Sequence, residues 1–245
     1  MPQSVVAGTI LAIVSGFGPS LSWIAVVTFF GNRAALRVWF VRCLNWRTDW
    51  RWYAVAFCIP PAIMLLGLAL YNVTGGVIQA SIPGEKLPLF IANFALIFVL
   101  GGPLGEEFGW RGYALPAVSA HLNWRIGSLL VGVIWSVWHL PLFYMAGTPQ
   151  SHMSFIVFLV STTAESVMFA WLFRNTGRSI VPAMIMHTSI NGWMSLILAM
   201  LTTGSPQFLV IMTGIQILVA AAMLFVADFN SSSLAVKFGF RGQLR

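Results

Sequence analysis

The chain alternates long apolar stretches with short polar ones. Uncharged runs cover residues 1–32, 52–84, 87–105, 126–164 and 179–227. Several exceed the ~20 residues that an α-helix needs to cross a bilayer. They are continuously apolar rather than alternating, which predicts helices and not a barrel. Divided at glycines, prolines and polar turns, the pattern predicts about eight membrane helices, near 4–30, 52–73, 87–101, 103–120, 124–146, 153–174, 179–201 and 207–227. Gly16, Gly18 and Pro19 interrupt the first of these. Gly101-Gly-Pro103 breaks the chain before the fourth, and Pro103 is well placed to open it. Pro116 is expected to kink or shorten that helix. The start, Met-Pro-Gln-Ser-Val-Val, lacks a basic n-region and reads as part of the first membrane helix rather than a cleaved signal. The expected fold is all-α: a polytopic membrane protein with a polar cavity inside the bundle. Residues 1–245 are expected to form a single integral-membrane domain.

Composition strengthens that reading. Hydrophobic residues make up 58% of the 245 and charged ones only 8%, a balance that no soluble core absorbs. The chain is therefore expected to be a multi-pass protein, of the cell membrane. The formal charge of +7 sits in loops and termini. It reads as headgroup contact and topology signal rather than nucleic-acid binding. Segment 31–51 carries Arg33, Arg37, Arg42, Arg47 and Arg51 among Trp39, Trp46 and Trp50, a mixture suited to the membrane interface. Cys43 and Cys58 form no spacing motif and support no disulfide.

Against this background the few polar groups at membrane depth stand out, because each is costly in lipid unless paired or reactive. Glu106, Glu107 and Arg111 fall within Gly101-Gly-Pro-Leu-Gly-Glu-Glu-Phe-Gly-Trp-Arg-Gly112. On a helix Glu107 and Arg111 are i,i+4 neighbours, the spacing of a salt bridge. Glu106 points about 100° away and is free to face something else. His139 follows Trp135 at i+4, and Asn191 follows His187 likewise, so each pair shares a helix face. Glu106, His139, His187 and Asn191 come from three helices, as sites inside bundles do. A carboxylate with an imidazole suits a general base, and an Asn with a second His suits oxyanion donation. Glu165 is a fifth buried polar group, expected to partner a cation such as Arg111. His121 and His152 read as surface residues and Ser136 as packing.

Three motifs in this order resemble a known family. Glu106-Glu-Phe-Gly-Trp-Arg111 resembles the EExxxR motif of the CAAX-protease and bacteriocin-processing family of intramembrane proteases. Trp135-Ser-Val-Trp-His139 resembles its FxxxH motif, with Trp in place of Phe, and His187-Thr-Ser-Ile-Asn191 its HxxxN motif. The resemblance covers about 100–192, with the motifs inside 101–192. It implies peptide-bond hydrolysis within the membrane on an eight-helix fold. Glu106 and His139 would activate water, and His187 and Asn191 would stabilise the oxyanion. Glu107 and Arg111 would support them, with Trp135 as an aromatic wall. The implied partners are membrane lipid and a membrane-associated or lipidated, CAAX-like protein or peptide.

Glu, His and His with a water is also a catalytic zinc set, so Glu106, His139 and His187 are the candidate zinc ligands. The chain has no HExxH helix, and metal-free chemistry is the preferred expectation. Two other functions compete. A proton- or ion-coupled transporter would use the same groups as a relay but predicts internal repeats, which the sequence lacks. A non-catalytic immunity or scaffolding protein would share the fold without the activity.

Overall fold

The structure, a computed structural model, describes residues 15–30, 37, 39–41, 43–78, 87–100, 102–201 and 206–225. Within them the elements are α1 (Gly18–Phe30), α2 (Trp50–Val73), α3 (Leu87–Leu100), α4 (Pro103–Gly109), a π-turn (Trp110–Ala114), α5 (Leu115–Trp138), α6 (Phe155–Asn175), α7 (Val181–Met200) and α8 (Pro206–Phe225). Two short 3₁₀ turns, Leu140–Tyr144 and Pro149–His152, link α5 to α6. A single bridge between Ile78 and Leu201 is the one β-contact among the described residues. Expectations for residues 1–14, Arg33, Arg42, the loop 79–86, Gly101, the turn 202–205 and the tail 226–245 lie outside the described residues.

The protein is an all-α, multi-pass integral membrane protein. Five stretches of the described chain are long and apolar enough to cross a bilayer. Four are α2, α6, α7 and α8, and the fifth is the segment Ile91–Tyr144. Burial supports the same conclusion. Phe29, Val73, Ile156 and Leu218 are all more than 70% exposed, while Glu107 and Arg111 are fully buried. Apolar outside with charge inside is what hydrocarbon surroundings impose.

Helix starts follow local chemistry. Asp49 caps α2 by accepting from the Arg51 N–H at 2.9 Å, so the helix begins at Trp50. Trp50 and Arg51, read from sequence as part of the interfacial segment, thus form its first turn. Trp39 departs from that reading too, being 7% exposed and not part of an aromatic belt. The predicted helix over 103–120 is instead interrupted by the π-turn. Pro116 has no N–H for the carbonyl of Gly112, four residues earlier, and the Trp39 indole donates to that oxygen at 2.8 Å. The Leu115 N–H reaches back to Trp110 O, the i→i−5 bond of a π-turn. Within α5 the chain kinks at Asn123 (φ 65°), whose side chain caps the N–H groups of Arg125 and Ile126.

Packing between helices relies on small residues and side-chain hydroxyls, as expected where lipid provides no hydrophobic drive between helices. The broadest contact is α5 on α6. There Gly132 lies against Thr163 and Ser166, and the Ser166 hydroxyl donates to Ser128 O at 2.8 Å. Gly105 and Gly109 let α4 approach the backbone around Gly16 and Pro19 so closely that a methyl at either would overlap a carbonyl oxygen. One face of α4 is thereby spent on the chain around α1. Its other face, with Glu106 and Glu107, turns to α3 and α7.

Candidate active site

Glu106 and Glu107 follow each other on α4 and so diverge, and the two carboxylates enter different networks. Glu107 Oε1 accepts from Arg111 Nη1 and from His187 Nδ1, each at 2.8 Å. This carboxylate joins its own helix segment to α7. The Arg111 guanidinium lies between two rings, 4.2 Å from the centre of Trp135 and 3.9 Å from that of Phe169. Ring faces stabilise a desolvated cation, so Arg111 stays buried with two of its nitrogens lacking a hydrogen-bond acceptor among the described residues.

Glu106 is 4% exposed. Its Oε2 accepts from the Trp135 indole at 2.6 Å, a short charge-assisted bond. Its Oε1 lies by Gly102, beside the Nε2 edge of His187. Trp135 was expected only to form an aromatic wall, but here it holds the carboxylate. A Phe at this place, as in the FxxxH pattern, has no such donor.

His139 stands at the C-cap of α5, not inside a helix reaching 146, because Leu140-Pro141 turns the chain into a 3₁₀ segment. Its Nδ1 is 2.8 Å from the Trp135 carbonyl. A carbonyl can only accept, so Nδ1 carries the proton and the neutral ring keeps its lone pair on Nε2. Trp135 therefore binds Glu106 through its side chain and His139 through its backbone. His187 Nδ1 likewise donates to Glu107, and its Nε2 faces Glu106.

Asn191 shares the α7 face with His187 and is half-buried, on the wall of an adjoining cavity. Glu165 does not pair with Arg111. Its Oε1 accepts from Gln216 at 2.8 Å, and Gln216 in turn accepts from Ser161 at 2.6 Å. A neutral amide on α8 lies closer than the guanidinium, which Glu107 already holds. His121 and His152 are exposed, and Ser136 is buried with its hydroxyl on Gly132 O. Glu106, His139 and His187 do not converge as a ligand set: no three His, Cys, Asp or Glu side chains among the described residues are placed to hold a metal ion.

The sequence reading missed Gly102, treating Gly101-Gly-Pro103 only as a break. Gly102 has φ 110°, a region that side chains disfavour. A methyl there would also stand 2.6 Å from Glu106 Oε1 and 3.3 Å from His187 Nε2. The space between the two reactive groups exists because this residue lacks a side chain. Gly102→Ala is expected to cost about 1–3 kcal/mol in backbone strain. It is expected to lower activity further than the fall in Tm explains, since it displaces Glu106. A Gly102→Ala protein with unchanged turnover would show that the gap is not used.

Residues 88–193, which contain all three motifs, match the family described as type II CAAX prenyl endopeptidase, Rce1-like. The chain is similar to this family over that region, a little under half of its length. It is also 30% identical over 184 residues to the CAAX prenyl protease 2 of Methanococcus maripaludis. That match covers 69% of this chain and 64% of the relative, just under two thirds of its length. The matched region begins within α3, takes in α4, α5 and α6, and ends within α7, with α1, α2 and α8 packed around it.

Proposed function

We propose that this protein is an intramembrane endopeptidase that hydrolyses a peptide bond of a membrane-associated protein or peptide. The observation that carries the proposal is Glu106: a buried carboxylate with one oxygen held by Trp135 and the other beside His187 across the gap at Gly102. A base must be fixed and shielded from bulk solvent to act on a single water, and the Trp135 bond and the burial of Glu106 supply both.

In the proposed reaction Glu106 removes a proton from a water that His139 Nε2 helps to orient. The water oxygen bonds to the scissile carbonyl carbon and the C=O π pair moves onto oxygen. His187 donates to that oxyanion from Nε2 in its imidazolium form, and the Asn191 amide donates beside it. Glu106 then passes its proton to the leaving amine as the C–N bond breaks. Glu107 holds the His187 ring by Nδ1 and fixes its orientation. Water activation is assigned to the carboxylate, so the enzyme is expected to be glutamate-dependent rather than zinc-dependent. The name of the Methanococcus relative supports a prenylated, CAAX-like substrate as the finer reading.

The test is cleavage of labelled CAAX-like peptides by the purified protein in lipid, with and without a chelator. Cleavage that survives chelation is expected, while no cleavage of any peptide in a broad panel would overturn the reading. Asn191→Ala is expected to lower kcat about 10²–10³-fold with little change in KM, because its donor acts on charge formed in the transition state. An effect confined to KM would make Asn191 a substrate-binding residue instead.

A further inference from the structure

Next to the site lies a cavity of about 310 Å³, enough for one long side chain. Asn191 forms part of its wall, and so does Phe158, whose ring also packs on His139 at 5.3 Å between centres. The cavity thus borders the proposed site at Asn191 and at the Phe158 ring beside His139. Its walls include Met194, Leu209 and Met212 and also Glu165, Thr162 and Thr213.

Glu165 is 9% exposed. The chain of hydrogen bonds from Ser161 through Gln216 holds Glu165 Oε1 and so sets the orientation of the carboxylate. Its other oxygen has no hydrogen-bond partner among the described residues. The charge balance is uneven. Among the described residues, three buried carboxylates, Glu106, Glu107 and Glu165, stand against one buried permanent cation, Arg111. Arg111 is bonded to Glu107, and so is His187. A buried carboxylate bonded to no cation is costly, and a cation brought to it by a ligand offsets that cost.

We propose that Glu165 is a specificity-determining residue, and that the cavity takes a substrate side chain with a positive charge on an apolar stem, a lysine or arginine flanking the scissile bond. The methionines and leucine receive the alkyl stem, the free oxygen of Glu165 receives the cationic head, and the threonine hydroxyls complete its hydrogen bonds. Neither glutamate of the EExxxR motif takes part, so this role is separate from water activation. The proposal rests on the endopeptidase reading for the position of the scissile bond, but the cavity and its charge do not depend on it.

The test compares two series of labelled peptides that differ only in lysine or norleucine at each position flanking the cleavage site. Norleucine keeps the stem and lacks the ammonium group. At one position the wild type is expected to prefer lysine by about 10–100-fold in kcat/KM, the range of a hydrogen bond to a charged group. In Glu165→Gln that ratio is expected to fall towards one. Equal rates for the two series in the wild type would overturn the proposal and leave the endopeptidase reading standing, and this comparison needs no variant. If neither series is cleaved, the endopeptidase reading fails and binding decides the cavity separately. Nα-acetyl-lysine amide would then be expected to raise the Tm of the wild type, and Nα-acetyl-norleucine amide would not. Equal shifts, or none, would overturn the proposal.

Discussion

Glu106→Gln is expected to abolish peptide hydrolysis while leaving the protein folded. Gln is nearly isosteric with Glu, and its amide oxygen still accepts from the Trp135 indole that now bonds Oε2 at 2.6 Å. Packing against Gly102 is unchanged, because the second terminal atom keeps its place. What disappears is the lone pair with carboxylate basicity on Oε1, the atom nearest His187. A positioned general base typically contributes about 10²–10⁴-fold, and kcat is expected to fall by that range or more. Tm in detergent should stay close to wild type, which separates this loss from unfolding. Turnover within a few fold of wild type would mean that another group activates the water. His139 would then be the next to test, since its Nε2 keeps a lone pair while Nδ1 is fixed on the Trp135 carbonyl.

Breaking the Glu107–Arg111 pair is expected to have the largest effect on stability. The two side chains are fully buried and bonded at 2.8 Å. Removing one partner of such a pair typically costs about 3–5 kcal/mol, because the other charge is stranded away from water. Glu107→Gln removes the carboxylate charge bonded to Arg111, which stays buried between Trp135 and Phe169. Arg111→Met leaves Glu107 with His187 alone. The double variant strands neither charge and is expected to lose less than the two singles added together. Activity should divide differently. Glu107→Gln weakens the hold on His187 and is expected to reduce kcat beyond its effect on Tm, whereas Arg111→Met acts mainly through stability. Thermal melts and single-turnover rates of the three variants would check both. Additive losses of stability would show that the pair carries no coupling energy.

Much of the architecture was legible in the sequence, because membrane helices announce themselves. Lipid offers no hydrogen-bond partners, so each span must be a continuous apolar run satisfied within its own helix. The ends of α2, α3, α6, α7 and α8 accordingly fall within a few residues of those read from the pattern. The scarcity of charge also made Glu106, Glu107, Arg111 and Glu165 conspicuous. The i,i+4 relation of Glu107 and Arg111 is a local property of a helix, so spacing was enough to pair them.

The region from 103 to 152 was read less well, and for a local reason. Its breaks come from proline and asparagine acting against helix continuity, and which break wins depends on what surrounds it. Pro116 frees the Gly112 carbonyl, but only the fold supplies the Trp39 indole that accommodates a π-turn there. Leu140-Pro141 ends α5 at Trp138 and leaves His139 at a helix end.

What the sequence determined by itself was therefore the membrane class, the spans and the short list of polar groups, since each follows from burial cost or helical period. What only the tertiary structure decided was who meets whom across helices: Trp135 with Glu106, His187 with Glu107, Gln216 rather than Arg111 with Glu165, and Gly102 as the gap between two reactive groups. Pairings within a helix are set by its 3.6-residue period. Pairings between helices are set by how closely the backbones approach and how each helix is turned, and here glycines such as Gly105 and Gly109 govern that approach.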